Sequence, residues 1–280
     1  MSKWELTKQF NSSYGTVRFD VIGEGPPLVL IHGTPWSSFN WRQIIPGLSK
    51  WFTVYYYDLL GYGQSEKKAN QDVSLGIQNK ILVELLQHWG LDSPYVIGHD
   101  FGGTTALRTN LLNNVPFKKM VLIDPVALGP WGSPFFTHVY KHQAAFSGVP
   151  AFIHEAMVSA YIEGAVYNDM HKETKAGIIQ YWLGEHGQAA FYQQMAQANQ
   201  SYTDEVEALY HTIDTPTLIL WGEHDAWIPI EKGHALHDII SGSQFQTIPC
   251  AGHLVQEEAP AVVLGHVLKF LTESSHDEKE

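Results

Sequence analysis

The chain has 280 residues, 44% of them hydrophobic and nine of them Trp and thirteen Phe, which is enough to bury a large core and excludes a disordered protein. Its formal net charge of −12, with only 17 Lys and Arg spread along the chain, disfavours nucleic acid as a partner, because phosphate binding is driven by clustered basic side chains. The single cysteine, Cys250, excludes an internal disulfide framework and argues against a zinc cluster, so a reducing cytosol is the expected setting.

The first residues do not pair a basic region with an apolar run. Strings such as "PLVLI" and "TLILW" are far too short to cross a bilayer, and a soluble, unexported, cytoplasmic protein is expected. Short β-branched and apolar runs bounded by Gly, Pro or Asp recur at 16–23, 26–33, 52–59, 93–100, 118–125, 215–222 and 243–250. Several are apolar throughout, as strands buried on both faces of a mostly parallel sheet must be. Between them, Leu75, Ile81, Leu82, Leu85, Leu86 and Trp89 recur at three- and four-residue steps, and "APAVVLGHVLKFL" repeats the pattern near the end; both predict helices. Alternation of strand and helix predicts an α/β fold, with ligands at the carboxyl ends of the strands. From about 126 to 210 the strand signals vanish and helix-like segments take over, among them "HEAMVSAYIEGAVYNDM" and "AAFYQQMAQANQ". Residues 126–210 are therefore expected to form a helical cap inserted into a core made of 1–125 and 211–280, drying a pocket beneath it. The terminal "TESSHDEKE" is expected to be a solvated end.

"VIGHDFGG", residues 96–103, has the spacing of a strand-to-helix corner that thrusts one side chain into the open, with Gly98 and Gly102 leaving room for it. The exposed residue is Asp100 where a serine is usual. A carboxylate is already ionised at neutral pH and suits displacement of a leaving group from a saturated carbon, giving an alkyl ester that needs a second catalysed step. That step requires a base, and "CAGHLVQEEAP" supplies His253 in a Gly-flanked loop. "WGEHDAWIP" supplies Asp225 to orient the imidazole, with Asp124 of "VLIDP" as the alternative acid or a helper. "IHGTPW" places a turn after strand 28–31, so the backbone N–H groups of Thr34 and Phe101 can hold the oxyanion that forms on Asp100.

"HGTPWSSFNWRQIIPGL", "YDLLGYGQSEK", "GHDFGG", "YIEGAV" and "AGHLVQEEAP" resemble, in order and spacing, segments of haloalkane dehalogenases. Over nearly its whole length the chain resembles an α/β-hydrolase of the branch with an aspartate nucleophile, which also holds the epoxide hydrolases. The resemblance implies an α/β-hydrolase fold with an inserted helical cap and a hydrolase that needs no cofactor or metal. Its partners are a small apolar organic substrate and water, with neither nucleic acid nor membrane involved. It implies a haloalkane dehalogenase first, an epoxide hydrolase using cap tyrosines second; an esterase or lactonase, or a non-catalytic ligand-binding homologue, remains a further alternative. In both families the residue after the nucleophile is usually tryptophan, whose indole N–H holds a departing halide; here it is Phe101, which has no such donor. Thr34 stands where dehalogenases often have asparagine. Trp36, Trp131, Trp182 or a cap tyrosine such as Tyr161 are the substitutes to look for in the pocket. Asp58 and His32 match structural turns of the superfamily. His138 with His142 and His234 with His237 have chelating spacings but no third ligand at a matching interval, and are expected to be ordinary histidines. Arg108 is expected to be a helix-face charge.

Overall fold

The computed structural model describes residues 4–273, so the acidic end from 274 onward lies outside the described residues. The strands are β1 (Lys8–Ser12), β2 (Gly15–Ile22), β3 (Pro27–Ile31), β4 (Thr53–Tyr57), β5 (Tyr95–His99), β6 (Met120–Ile123), β7 (Thr217–Gly222) and β8 (Gln244–Ile248). They form one eight-stranded sheet in the order β1-β2-β4-β3-β5-β6-β7-β8. Only β2 runs antiparallel to its neighbours; every pairing from β4 to β8 is parallel.

The apolar runs explain this order. Strands β5, β6 and β7 are buried at every position, because helices cover both faces of the sheet there. One face packs on helices Leu75–Trp89 and Phe101–Asn113 through Leu82, Leu85, Ala106 and Leu107. The other packs on helix Pro260–Thr272 through Val263, Val267 and Phe270. Each of the seven runs singled out in the sequence carries a strand. β1 escaped because its sequence, KQFNS, is polar and sits half-exposed at the edge of the sheet, where only one neighbour is needed.

Between β6 and β7 the described residues hold helices and no strand, among them Pro134–Lys141, Ala151–Glu163, Lys172–Ile179, Gly184–Gln197 and Ser201–Glu207. The expected helical stretch at 154–170 ends early, at Gly164, and residues 165–168 run without helix against the loop that follows β8. Val158, Trp182, Phe191 and Met195 of the insertion share one apolar cluster with Trp36, Leu59 and Phe101 of the sheet layer. Arg108 is buried rather than on an open helix face: it donates to Asn79 Oδ1 (3.1 Å) and the Tyr202 carbonyl (2.6 Å) and pairs with Glu205, tying Phe101–Asn113 to the insertion. Among the described residues no helix is long and apolar enough to cross a membrane.

Candidate functional site

Parallel pairing puts the carboxyl ends of β3, β5, β6 and β7 side by side, with Ile31 opposite Gly98, His99 opposite Ile123 and Ile123 opposite Leu220. Thr34, Asp100, Asp124 and Asp225 follow those ends, and His253 follows β8. Residues far apart in sequence thus meet on one edge.

Asp100 sits between β5 and helix Phe101–Asn113 with φ 54° and ψ −120°, a strained backbone for a residue with a Cβ. The turn closes only because Gly102 has no side chain: a Cβ there would lie 2.0 Å from the Ile31 carbonyl oxygen. The Asp100 carboxylate leans on the backbone of Gly33, where an added Cβ would meet Oδ1 at 2.2 Å. Oδ1 accepts the Thr34 N–H at 2.6 Å, and Oδ2 lies 3.4 Å from His253 Nε2. One oxygen is held by the backbone and the other stands beside the imidazole.

His253 is fully buried, and its Nδ1 lies 2.8 Å from Asp225 Oδ2. Asp225 Oδ1 accepts the N–H groups of Trp227 (2.8 Å) and Ile228 (2.9 Å), which fixes the carboxylate in one pose. Burial alone would lower the pKa of the His253 imidazole; the flanking carboxylates of Asp225 and Asp100 outweigh it and hold the value well above that of a free histidine. Asp124, the alternative acid, makes no hydrogen bond to His253. Its Oδ1 accepts the Gly222 N–H at 2.8 Å, while its Oδ2 is buried without a partner. Burial, and then the charge of Asp225, push its pKa well above the carboxylate range. Asp124, Asp225 and His253 bring three ligand atoms within 4.8 Å of one another, yet His253 Nδ1 and Asp225 Oδ2 are spent on each other, and the set does not fit a metal ion.

Above Asp100 lies a cavity of about 30 Å³ lined by Thr34, Phe101, Trp131, Ser133, Tyr161 and Trp227, among others. Trp131 and Tyr161 are where the sequence suggested. Trp36 and Trp182 are not on this wall. Trp182 is buried with its N–H donated to the Pro35 carbonyl (2.7 Å), and Trp36 stacks behind Trp227 with ring centroids 5.5 Å apart. The Trp131 N–H is also engaged, by Thr203 Oγ1 at 2.8 Å, so this tryptophan offers its ring alone. Burial, with a contribution from the Asp100 charge, raises the pKa of Tyr161, whose ring stacks on Trp227 at 4.4 Å.

Sequence reasoning missed four neighbours of this site. Trp227 was within reach, two residues past Asp225 on the same loop. His99, next to Asp100 in sequence, donates from Nε2 to the His253 carbonyl (2.9 Å), and its ring lies 4.8 Å from the His253 ring. Gln194 and Tyr62 carried no local signal: Gln194 reaches from helix Gly184–Gln197 to accept from Thr34 Oγ1 (2.7 Å) and Tyr62 Oη (2.9 Å). His32 and Asp58 are structural as expected, His32 Nε2 accepting the Leu59 N–H (2.9 Å) and Asp58 Oδ1 the Ser38 N–H (2.7 Å). His138 and His142 pack ring to ring at a tilt of 58°, and His234 and His237 pack tilted against Phe245.

Residues 28–265 match the family model described as "Alpha/beta hydrolase family". A solved structure of an alpha/beta hydrolase fold protein from Burkholderia ambifaria is 46% identical, with a TM-score of 0.93 over 95% of this chain and 98% of that one. Among curated proteins, haloalkane dehalogenase 2 of Mycobacterium bovis is 27% identical over 289 residues, 96% of this chain and 94% of the relative. The uncharacterised hydrolase YugF of Bacillus subtilis is 26% identical over 253 residues, 87% and 89% respectively.

Proposed function

The chain belongs to the α/β-hydrolase family, and on that premise we propose that it is a cofactor-free hydrolase in which Asp100 forms an alkyl ester with a small apolar substrate. The observation that carries this reading is the division of labour on one carboxylate that lines the cavity: Oδ1 rests on the Thr34 N–H at 2.6 Å, while Oδ2 lies 3.4 Å from His253 Nε2. Residues 126–210 act as the cap that keeps this cavity dry.

In the first step Asp100 Oδ2 bonds to a saturated carbon as the carbon–halogen bond breaks, its electron pair leaving with the halide. The ester is uncharged, so His253 loses one of the two carboxylates that held its proton and releases that proton to solvent. Neutral His253, oriented by Asp225, takes a proton from water, and the resulting hydroxide adds to the Asp100 carboxyl carbon. The N–H groups of Thr34 and Phe101 hold the oxyanion. Collapse breaks the acyl–oxygen bond, the departing alkoxide takes its proton from His253, and the Asp100 carboxylic acid so formed returns its proton to His253, restoring the starting state. The sum is one haloalkane and one water consumed, one alcohol and one hydrogen halide formed.

The likeness to a haloalkane dehalogenase over 96% of the chain supports a halide as leaving group. Tyr161 favours a second reading, opening of an epoxide by the same nucleophile. It lines the cavity above Asp100, where its phenol O–H can give a proton to a ring oxygen as that oxygen departs.

Replacing His253 by Gln stops the second step, so incubation with 1-bromoalkanes or terminal epoxides should leave an adduct on a peptide containing Asp100, read by mass spectrometry. In wild type, a single turnover in heavy-oxygen water should put the isotope into the Asp100 carboxyl group before it reaches product. Label in the product with none in Asp100 overturns the scheme. Release of bromide against formation of a diol decides between the two leaving groups.

A further inference from the structure

A second hollow opens on the outer side of the site. It has a volume of about 390 Å³ and is lined by Pro134, Phe135, Met157, Ala160 and Gly164, together with Ser133, Tyr161 and Trp227. Those last three also line the inner cavity, so the two spaces adjoin at a serine and two stacked aromatic rings. Their sizes differ by an order of magnitude. The inner one, at about 30 Å³, takes on the order of two or three water-sized groups, whereas the outer one is in the range of ordinary ligand sites. Among the described residues, Asp100 is the only Asp, Glu, Lys or Arg on either lining.

We infer that the substrate is uncharged and of two parts: a slender arm ending in the electrophilic carbon, which reaches Asp100 through the inner cavity, and an apolar body that stays in the outer hollow against Phe135, Met157 and Ala160. This rests on the covalent reading of Asp100. The inner cavity admits a terminal carbon and excludes one branched at the reacting position. A carboxylate substrate meets the Asp100 charge with no Lys or Arg on either lining to offset it, and the His253 imidazole is already flanked by Asp100 and Asp225, so haloacids are disfavoured. Phe135, Met157 and Ala160 supply apolar surface for the body, whose burial is favourable in proportion to its area.

The test is a chain-length series of 1-bromoalkanes and 1,2-epoxyalkanes from three to eight carbons, with 2-bromoalkanes for comparison. In wild type, kcat/KM should rise about fourfold for each methylene that enters the outer hollow, and the 2-bromo isomers should be slower at least a hundredfold. Ala160→Trp, on an exposed helix face, fills the hollow; the kcat/KM ratio of the eight-carbon to the three-carbon substrate should fall at least tenfold. Met157→Trp, from the same helix, should lower the ratio in the same direction and guards against a folding defect peculiar to one variant. Turnover with no dependence on chain length, or a ratio untouched by both variants, overturns the inference and leaves the Asp100 chemistry standing. No turnover of any member, with no Asp100 adduct in His253→Gln, sinks the covalent reading and this inference with it.

Discussion

Asp225 spends one oxygen on two backbone N–H groups and the other on His253, whereas Asp124 has one oxygen on Gly222 and the other on nothing. Asp225→Asn is therefore expected to lower kcat roughly 10³- to 10⁴-fold, by orienting the wrong imidazole tautomer. Asp124→Asn should keep most of the activity in the same steady-state assay. Their pH behaviour differs too. Because the folded pKa of Asp124 is raised above the ordinary 3.8, its contribution to stability is fully present below 3.8 and is lost as pH rises toward the folded value, where only the unfolded chain ionises. Asp124→Asn lacks that titration, so its melting temperature should gain on wild type as pH rises from 4 to 8; a constant difference across that range contradicts the assignment. A third outcome concerns Asp100. Asp100→Asn mimics the uncharged ester, and NMR titration should find the His253 pKa lower than in wild type, since one flanking carboxylate is gone. At this scale the strand-end positions of Asp100 and His253 were legible, because each sits in a short glycine-flanked motif. Which aspartate serves the histidine was not, because both follow strand ends in sequence and only side-chain direction separates them.

Glu258 shows what holds the elements around the site. Its Oε1 accepts the N–H groups of Tyr167 (3.0 Å) and Asn168 (2.8 Å), and its Oε2 accepts that of Gly252 (2.7 Å). The His253 N–H adds a bond to the Ala165 carbonyl at 2.8 Å. One carboxylate thus clasps the irregular stretch after helix Ala151–Glu163 to the loop that carries the histidine. Glu258→Ala should cost about 1–3 kcal/mol in urea unfolding and speed amide exchange at Tyr167, Asn168 and Gly252 together; exchange rising at only one of the two segments would refute the clasp. Strands and long helices were legible in the sequence because burial on both faces demands unbroken apolar runs. The 165–168 stretch was not: its residues continue a helix-like composition, and the partners that turn it aside lie 82 to 91 residues away.

At the scale of the whole molecule, the apolar cluster running from Leu82 and Leu107 through Phe101 to Phe191 and Met195 has no break between sheet layer and insertion. The insertion should therefore melt with the rest. Phe191→Ala, at a fully buried position, is expected to cost about 3–5 kcal/mol and to lower a single calorimetric transition rather than split off a second one. The sequence by itself determined the layered α/β architecture, the run of helices between β6 and β7 and the placing of Asp100 and His253 in glycine-bounded turns, since apolar periodicity and such turns are local properties of the chain. The tertiary structure alone decided that Asp225 takes the histidine, that Trp36 and Trp182 stand off the cavity wall, and that Gln194 reaches across to Thr34. Those outcomes depend on which side chains meet at close range once strands distant in sequence lie side by side, and short-range pattern carries no record of direction or distance.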